Sequence, residues 1–482
     1  MDRIGLRASI NLVIILVIGL LIGPVMGPVM GPVIGPVIGP VSESMVTGAA
    51  YAQGQQSPTQ KSALLKTFSW AGGIEDTFIP QERPGLRPLE EYELTQHYAQ
   101  WREDIDRAAS LGITKLRWGT PWYKSEPQPG VYDWKWTDEV LDYMINKRHI
   151  DPIIDLVHYG TPLWMKDSFT DPAYAQAVSD YARAFATRYK NKVKYYTPLN
   201  EPAVNSEFCG LNGQWPPYLK GDVGYLQVLL PIARGIQMET RAIRDADPDA
   251  TIVAVEAMTL KQATSAETQN DARNAFDRDM LPWDLVNGKV DERHPLYGWL
   301  LKNGVKVEKL DELRKGAIHA DVLGVNFYPW SIKALSTANG KVEEKPGPQR
   351  GRLLLEVLKN VWEHAKTPMF VTETSSLGDV TTRALWMAET IDAVRLARDE
   401  GIPVVGYTWF PIITMVDWTY RTSTQPAAEH LIHLGLWDSK FDAAGILQRQ
   451  ETPLVDNYRS WVKLGMPVQK SSTVQLGLQS AP

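Results

Sequence analysis

The sequence predicts an α/β protein: a (β/α)8 TIM barrel with long loop insertions at the C-terminal face of the strands. Three observations carry this. Short runs rich in Val, Ile and aromatic residues recur eight times. Helical spacing follows these runs, the alternation that builds a parallel sheet wrapped in helices. Several runs are apolar almost throughout, as strands covered on both faces must be.

In chain order the strands are expected at 67–72, 114–119, 152–158, 193–199, 251–255, 321–327, 368–372 and 403–409. Helices are expected at 93–111, 173–189, 224–246, 352–364 and 382–400. In the first, Leu94, Tyr98, Trp101, Ile105 and Ala108 recur every three or four residues and form one helical face. Gly112 supplies the stop. Residues 260–320, 329–351 and 410–438 are left over as insertions.

The N-terminus follows different rules. Residues 10–22 form an apolar run of signal-peptide size behind Arg3 and Arg7. A Gly-Pro-Val repeat follows, and proline at every fourth position cannot sit in a regular helix. Ala50-Tyr51-Ala52 then fits the small-x-small cleavage pattern. Residues 1–52 therefore read as an export signal, 53–62 as a polar linker, 63–465 as the barrel domain and 466–482 as a flexible tail. The expected location is secreted or periplasmic. The alternative is a membrane anchor through residues 10–41, which carry no charge; a membrane is a partner only in that case.

Composition narrows the function classes. With 44% hydrophobic and 22% charged residues among 482, the chain can bury a core. A formal charge of −6 argues against a nucleic-acid partner. The single cysteine, Cys209, excludes an intramolecular disulfide and a thiolate metal cluster. Trp outnumbers Phe by 17 to 10, which points to surfaces needing a flat face with a polar edge.

In such a barrel the chemistry lies at the carboxyl ends of the strands. There the sequence places Arg117, His158, Asn200, Glu201, Asn326, Tyr328, Glu373 and Trp409. Two carboxyls among amides and aromatics suit cleavage of a glycosidic bond. That bond needs an acid on the leaving oxygen and an anion or activated water at the anomeric carbon. Arg117 is placed to hold one carboxyl ionised, and the resulting charge keeps the other protonated. Asn200 is placed to donate to a sugar hydroxyl, and Trp409 and Trp418 to offer ring faces. Glu256, at the end of strand five, reads equally as a cleft residue or an ion-pair partner. His430 and His433 lack the Glu-flanked zinc motif and read as loop residues.

These residues resemble glycoside hydrolase family 1, in the clan of retaining (β/α)8 glycosidases. Leu199-Asn200-Glu201-Pro202 is similar to that family's acid/base motif and Val371-Thr372-Glu373 to its nucleophile motif. Gly324-Val325-Asn326-Phe327-Tyr328 is similar to its strand-six signature, and Pro129-Gly130-Val131-Tyr132 to a turn shared across the clan. The resemblance implies Glu201 as acid/base and Glu373 as nucleophile, with Arg117, Asn200 and Tyr328 assisting. It implies His158, Asn326, Trp409, Trp418, Asp417 and Glu75 as sugar-binding residues. It also implies a carboxylate separation of ~5–5.5 Å, a carbohydrate substrate, and no metal or cofactor. Three positions depart from the family. Thr374-Ser375 replaces Asn-Gly after the nucleophile, Asp417-Trp418 stands where a Glu precedes a Trp, and Glu75 stands nearest the usual Gln. The expected activity is a retaining β-glycosidase of β-glucosidase type. A transglycosidase, an exported-polysaccharide-processing enzyme and a non-catalytic carbohydrate-binding barrel remain as alternatives.

Overall fold

The structure is a computed structural model that describes residues 67–466. The expected export signal (1–52), the linker (53–62) and all of the tail but Met466 lie outside the described residues. Among the described residues no helix is long and apolar enough to cross a membrane.

Eight parallel strands close into a barrel: β1 (Ser69–Gly73), β2 (Lys115–Gly119), β3 (Asp151–Asp155), β4 (Tyr195–Thr197), β5 (Thr251–Ala257), β6 (Val322–Asn326), β7 (Met369–Glu373) and β8 (Val404–Trp409). Each strand pairs with its sequence neighbours, and β8 returns to β1. One helix after each strand covers the outside: α1 (His97–Ser110), α2 (Lys135–Asp142), α3 (Tyr174–Arg188), α4 (Gly221–Ala246), α5 (Gln269–Val286), α6 (Leu354–Ala365), α7 (Val380–Asp399) and α8 (Leu454–Leu464).

Two apolar layers hold this together. Ala71, Ile153, Tyr195, Val253, Val255, Val322, Phe370 and Val405 fill the barrel interior. A larger cluster packs the outer strand faces against the helices. Their alternation along each strand explains why the runs look continuously apolar in sequence. Gly406 shows how tightly the interior is filled: a Cβ there would stand 2.2 Å from the Phe370 ring. The Tyr458 hydroxyl of α8 donates to the Ala71 carbonyl of β1 at 2.6 Å, tying the end of the domain to its start.

The structure amends three readings. The helix expected at 93–111 breaks into Glu91–Leu94 and α1, because Gln96 adopts a left-handed φ of 58°. Residues 260–320 are not purely an insertion, since they contain α5. The two insertions that flank β6 also share one sheet. Leu260–Ala263 pairs with Ile332–Ala338, which pairs with Lys341–Pro346.

Candidate active site

The carboxyl ends of the strands bring the chemistry together. Arg117, on β2, is wholly buried and makes contacts in three directions. Nη1 donates to Glu373 Oε1, Nη2 donates to Asn200 Oδ1 at 2.6 Å, and Nη2 meets Asp155 Oδ2 at 2.7 Å. Tyr328 completes the Glu373 carboxylate by donating to Oε2 at 2.7 Å. Glu373 thus receives one donor on each oxygen, and one of those donors is a guanidinium.

Glu201 sits in a different setting. Its Oε1 accepts from Asn326 Nδ2 at 2.7 Å, and its Oε2 accepts from the Tyr159 hydroxyl. Both donors are neutral. Burial, reinforced by the charge of Glu373, pushes Glu201 up to about 7. The two carboxyls are linked by a chain of contacts. Arg117 grips Asn200 Oδ1, and Asn200 Nδ2 donates to Tyr159 Oη at 2.9 Å, which in turn donates to Glu201. Glu201 itself has a φ of 46° and Tyr159 one of 77°. Such backbone is costly away from glycine and persists where the surroundings over-determine it.

A supporting layer fixes these groups. Asn326 Oδ1 accepts from Thr372 Oγ1 at 2.6 Å, which turns its amide nitrogen towards Glu201. Glu256 is wholly buried and makes no ion pair among the described residues. It accepts from the backbone N–H of Ala203 at 3.2 Å and of Ala257 at 3.0 Å, and so pins the turn after Glu201. His158 Nδ1 lies 2.7 Å from Asp76 and 3.3 Å from Asp155. Burial opposes a charge on this ring, but the two carboxylates overcome it and raise His158 well above its usual value. Gly119 admits Asp76 to this spot, because a Cβ at Gly119 would stand 2.0 Å from Asp76 Oδ2.

Asp76, Asp155 and His158 hold their ligand atoms within 4.8 Å of one another, close enough for a cation. Arg117 already occupies Asp155 and places a fixed positive charge beside any such ion. The trio therefore fits an internal charge network better than a metal cage.

The family profile of glycosyl hydrolase family 1 matches residues 74–329, more than half of the chain and all the site residues above except Thr372 and Glu373. The chain belongs to glycosyl hydrolase family 1. Its relatives include aryl-phospho-beta-D-glucosidase BglH of Bacillus subtilis (strain 168), 22% identical over 367 residues, covering 65% of this chain and 76% of that one. Beta-glucosidase 44 of Arabidopsis thaliana is 29% identical over 127 residues, about a quarter of each chain. Among solved structures, the beta-glucosidase from Thermotoga maritima in complex with deoxynojirimycin has a TM-score of 0.73 at 17% identity. That match covers 83% of this chain and 99% of the other, and shows a shared fold. The family match and the β-glucosidase relatives support a hydrolase of the β-glycosidase class.

The remaining expected site residues are placed unevenly in this family 1 barrel. Trp418 joins an aromatic wall with Tyr159, Trp215 and Phe208, with ring centroids 5.1–5.6 Å from Trp418. Trp409 is wholly buried and its Nε1 donates to the Leu434 carbonyl at 3.0 Å, so it presents no open ring face. Asp417 spends Oδ1 capping Thr419 N at 2.7 Å. Glu75 is buried and accepts from Thr77 Oγ1 at 2.6 Å. Thr374, which replaces the family Asn, donates to the Phe327 carbonyl at 2.6 Å and accepts from Trp386 Nε1 at 2.9 Å. His433 Nδ1 lies 2.8 Å from Thr414 Oγ1 and His430 Nδ1 lies 3.4 Å from Thr419 Oγ1, so each histidine engages a threonine hydroxyl.

Sequence reasoning assigned no role to Tyr159, Asp76 or Asp155. Tyr159 follows His158 directly, and its left-handed backbone carries no signal in a tyrosine. Asp155 falls mid-run in the expected strand 152–158 but ends the observed strand, and Asp76 lies in a loop; only the pairing and packing of the folded chain set them against Arg117 and His158.

Proposed function

We propose that this protein is a retaining β-glycosidase in which Glu373 is the nucleophile and Glu201 the acid/base. One observation carries the reading: two buried carboxyls share a site, one held by a guanidinium and the other by neutral donors only. The charged partner favours an anion at Glu373. The neutral surroundings, with Glu373 as a neighbouring charge, favour the protonated form of Glu201.

The mechanism follows from those two states. Glu373 attacks the anomeric carbon while Glu201 gives its proton to the leaving oxygen. A covalent glycosyl-enzyme results. Glu201, now ionised, takes a proton from water, which releases the sugar with its configuration retained. Asn200 is fixed by Arg117 beside the reacting centre, where a donor to a sugar hydroxyl strengthens as charge develops. The test is hydrolysis of aryl β-glycosides by residues 53–482 followed by proton NMR. The β-anomer should appear first; prompt formation of the α-anomer overturns the retaining reading.

Two further results are expected. Glu201 must be protonated to act as acid, so kcat/KM should fall as pH rises through about 7. In Glu201→Gln, assayed on a glycoside whose leaving group needs no acid, that limb should vanish. Tyr328→Phe removes one hydrogen bond from Glu373 and should lower kcat about tenfold with little change in fold, read by kinetics beside circular dichroism.

We also propose export. The apolar run, the proline repeat and the Ala-x-Ala pattern support it. Sequencing the mature N-terminus should read from Gln53; a start upstream of residue 10 would point to the anchor instead.

A further inference from the structure

Each reacting carboxyl accepts from one tyrosine hydroxyl, Glu373 from Tyr328 and Glu201 from Tyr159. Tyr159 is set firmly against Glu201. It is 2% exposed and has a left-handed φ of 77°. The rings of His158, Trp215 and Trp418 surround it, with centroids 4.5, 5.1 and 5.6 Å away. These contacts hold the phenol so that its hydroxyl lies between Asn200 and Glu201. The hydroxyl accepts from Asn200 Nδ2 at 2.9 Å and donates to Glu201 Oε2.

The two oxygens of Glu201 have partners of different chemistry. Oε1 accepts from Asn326 Nδ2 at 2.7 Å, and Thr372 locks that amide by donating to Asn326 Oδ1 at 2.6 Å. An amide nitrogen can only donate, so it faces Oε1 unchanged in every protonation state. A phenol hydroxyl can donate or accept. It donates to a bare Oε2 and accepts from an Oε2 that carries hydrogen. Tyr159 is therefore the neighbour able to follow the acid's proton, and Oε2 is the oxygen suited to carry it. The phenol keeps its own proton throughout, because burial and the charge of Glu201 push it well above its usual value. The other ionisable groups whose charges bear on Glu201 or Tyr159 are Glu373, His158, Glu256, Tyr328 and Glu75. Removing one phenol oxygen leaves all of them in place. Burial and Glu373 raise Glu201, and the Tyr159 hydrogen bond works against both.

We propose that Tyr159 is a positioning residue for the acid/base step, whose hydroxyl directs the exchangeable proton of Glu201 to Oε2 and stabilises the carboxylate left when that proton has gone. The proposal rests on the glycosidase reading for the step itself. In that step the Oε2–H bond breaks and the hydrogen joins the leaving oxygen. The Tyr159 hydroxyl then turns to donate to the vacated Oε2, and Asn200 keeps the phenol oxygen in place. Without that hydroxyl Glu201 becomes a weaker acid and a stronger base. The loss falls on substrates whose leaving group needs a proton.

The test compares the parent with Tyr159→Phe, which keeps the ring among its three neighbours and removes only the hydroxyl. The alkaline limb of kcat/KM should move up by about one pH unit. Below that limb, kcat/KM should fall about tenfold on a glycoside with a poor leaving group and change little on a dinitrophenyl glycoside. A purely structural role would lower both substrates alike and leave the limb where it is, and that result overturns the proposal. A second measurement needs no turnover. In protein labelled with carboxyl-13C glutamate, the Glu201 resonance is the one missing from Glu201→Gln, and its titration midpoint should rise in Tyr159→Phe. An unmoved midpoint overturns the proposal even if the parent cleaves glycosides. A raised midpoint in a protein without Glu373-dependent turnover would instead sink the glycosidase reading and leave Tyr159 in control of the Glu201 proton. Should Tyr159→Phe fail to fold, 3-fluorotyrosine at position 159 serves as a stronger donor of nearly the same shape. It should move the midpoint and the limb down, and no movement counts against Tyr159.

Discussion

Replacing Glu373 by Gln is expected to lower kcat/KM on any aryl β-glycoside the parent cleaves by about 10⁴-fold. The amide keeps the shape of the side chain, its oxygen can still accept from Arg117 while its NH2 faces the Tyr328 hydroxyl, so the fold should hold. What it loses is the anion that attacks the anomeric carbon. Glu373→Gly with added azide sharpens the test. A small anion entering the vacated space should restore turnover and give a glycosyl azide of inverted, α configuration. Wild-type-like activity in Glu373→Gln would remove the nucleophile assignment altogether.

Arg117→Ala should have the largest effect on stability. Arg117 is wholly buried and contacts Asp155, Glu373 and Asn200 together. Deleting it leaves the buried Glu373 without a cation and Asp155 with His158 alone, a loss of about 3–5 kcal/mol for breaking such a buried pair. A fall in Tm of several degrees follows, read by calorimetry. The pH dependence has a definite sign. Burial alone would raise Asp155, but Arg117 and His158 outweigh it and hold Asp155 below its ordinary value. A carboxyl lowered in the folded state stabilises above its unfolded value, and that contribution is lost as pH falls through the folded one. The Tm gap between parent and variant should therefore be full at neutral pH and narrow below about pH 4. Arg117→Lys restores the charge without the fork, so it should recover part of the stability and little of the activity.

Much of the site could be read before any coordinates, for a physical reason. In a parallel barrel every strand ends at the same rim, so residues at strand ends converge whatever their distance along the chain. That is why Arg117, Asn326 and Glu373, each in or at the end of a strand, were legible together. The loops obey no such rule. Tyr159 touches Glu201 because its backbone turns left-handed there, and Asp76 reaches His158 because Gly119 leaves room. Trp409 was expected to offer a face to sugar, yet its strand end carries it into a buried contact with the Leu434 carbonyl. Glu256, evenly balanced between cleft and ion pair, makes no ion pair among the described residues and holds the backbone after Glu201.

The eight-fold alternation, the two carboxyls at strand ends four and seven, and the amides and aromatics beside them are written in the order of residues along the chain. Periodicity and strand polarity are local properties, and they suffice to place such residues on one rim. Which carboxyl meets the guanidinium, how Asn200 and Tyr159 join the two, and where Asp76 and His158 pair came from the folded chain alone. Charge pairing depends on distances of a few ångströms between segments remote in the chain, and no pattern along the chain encodes those.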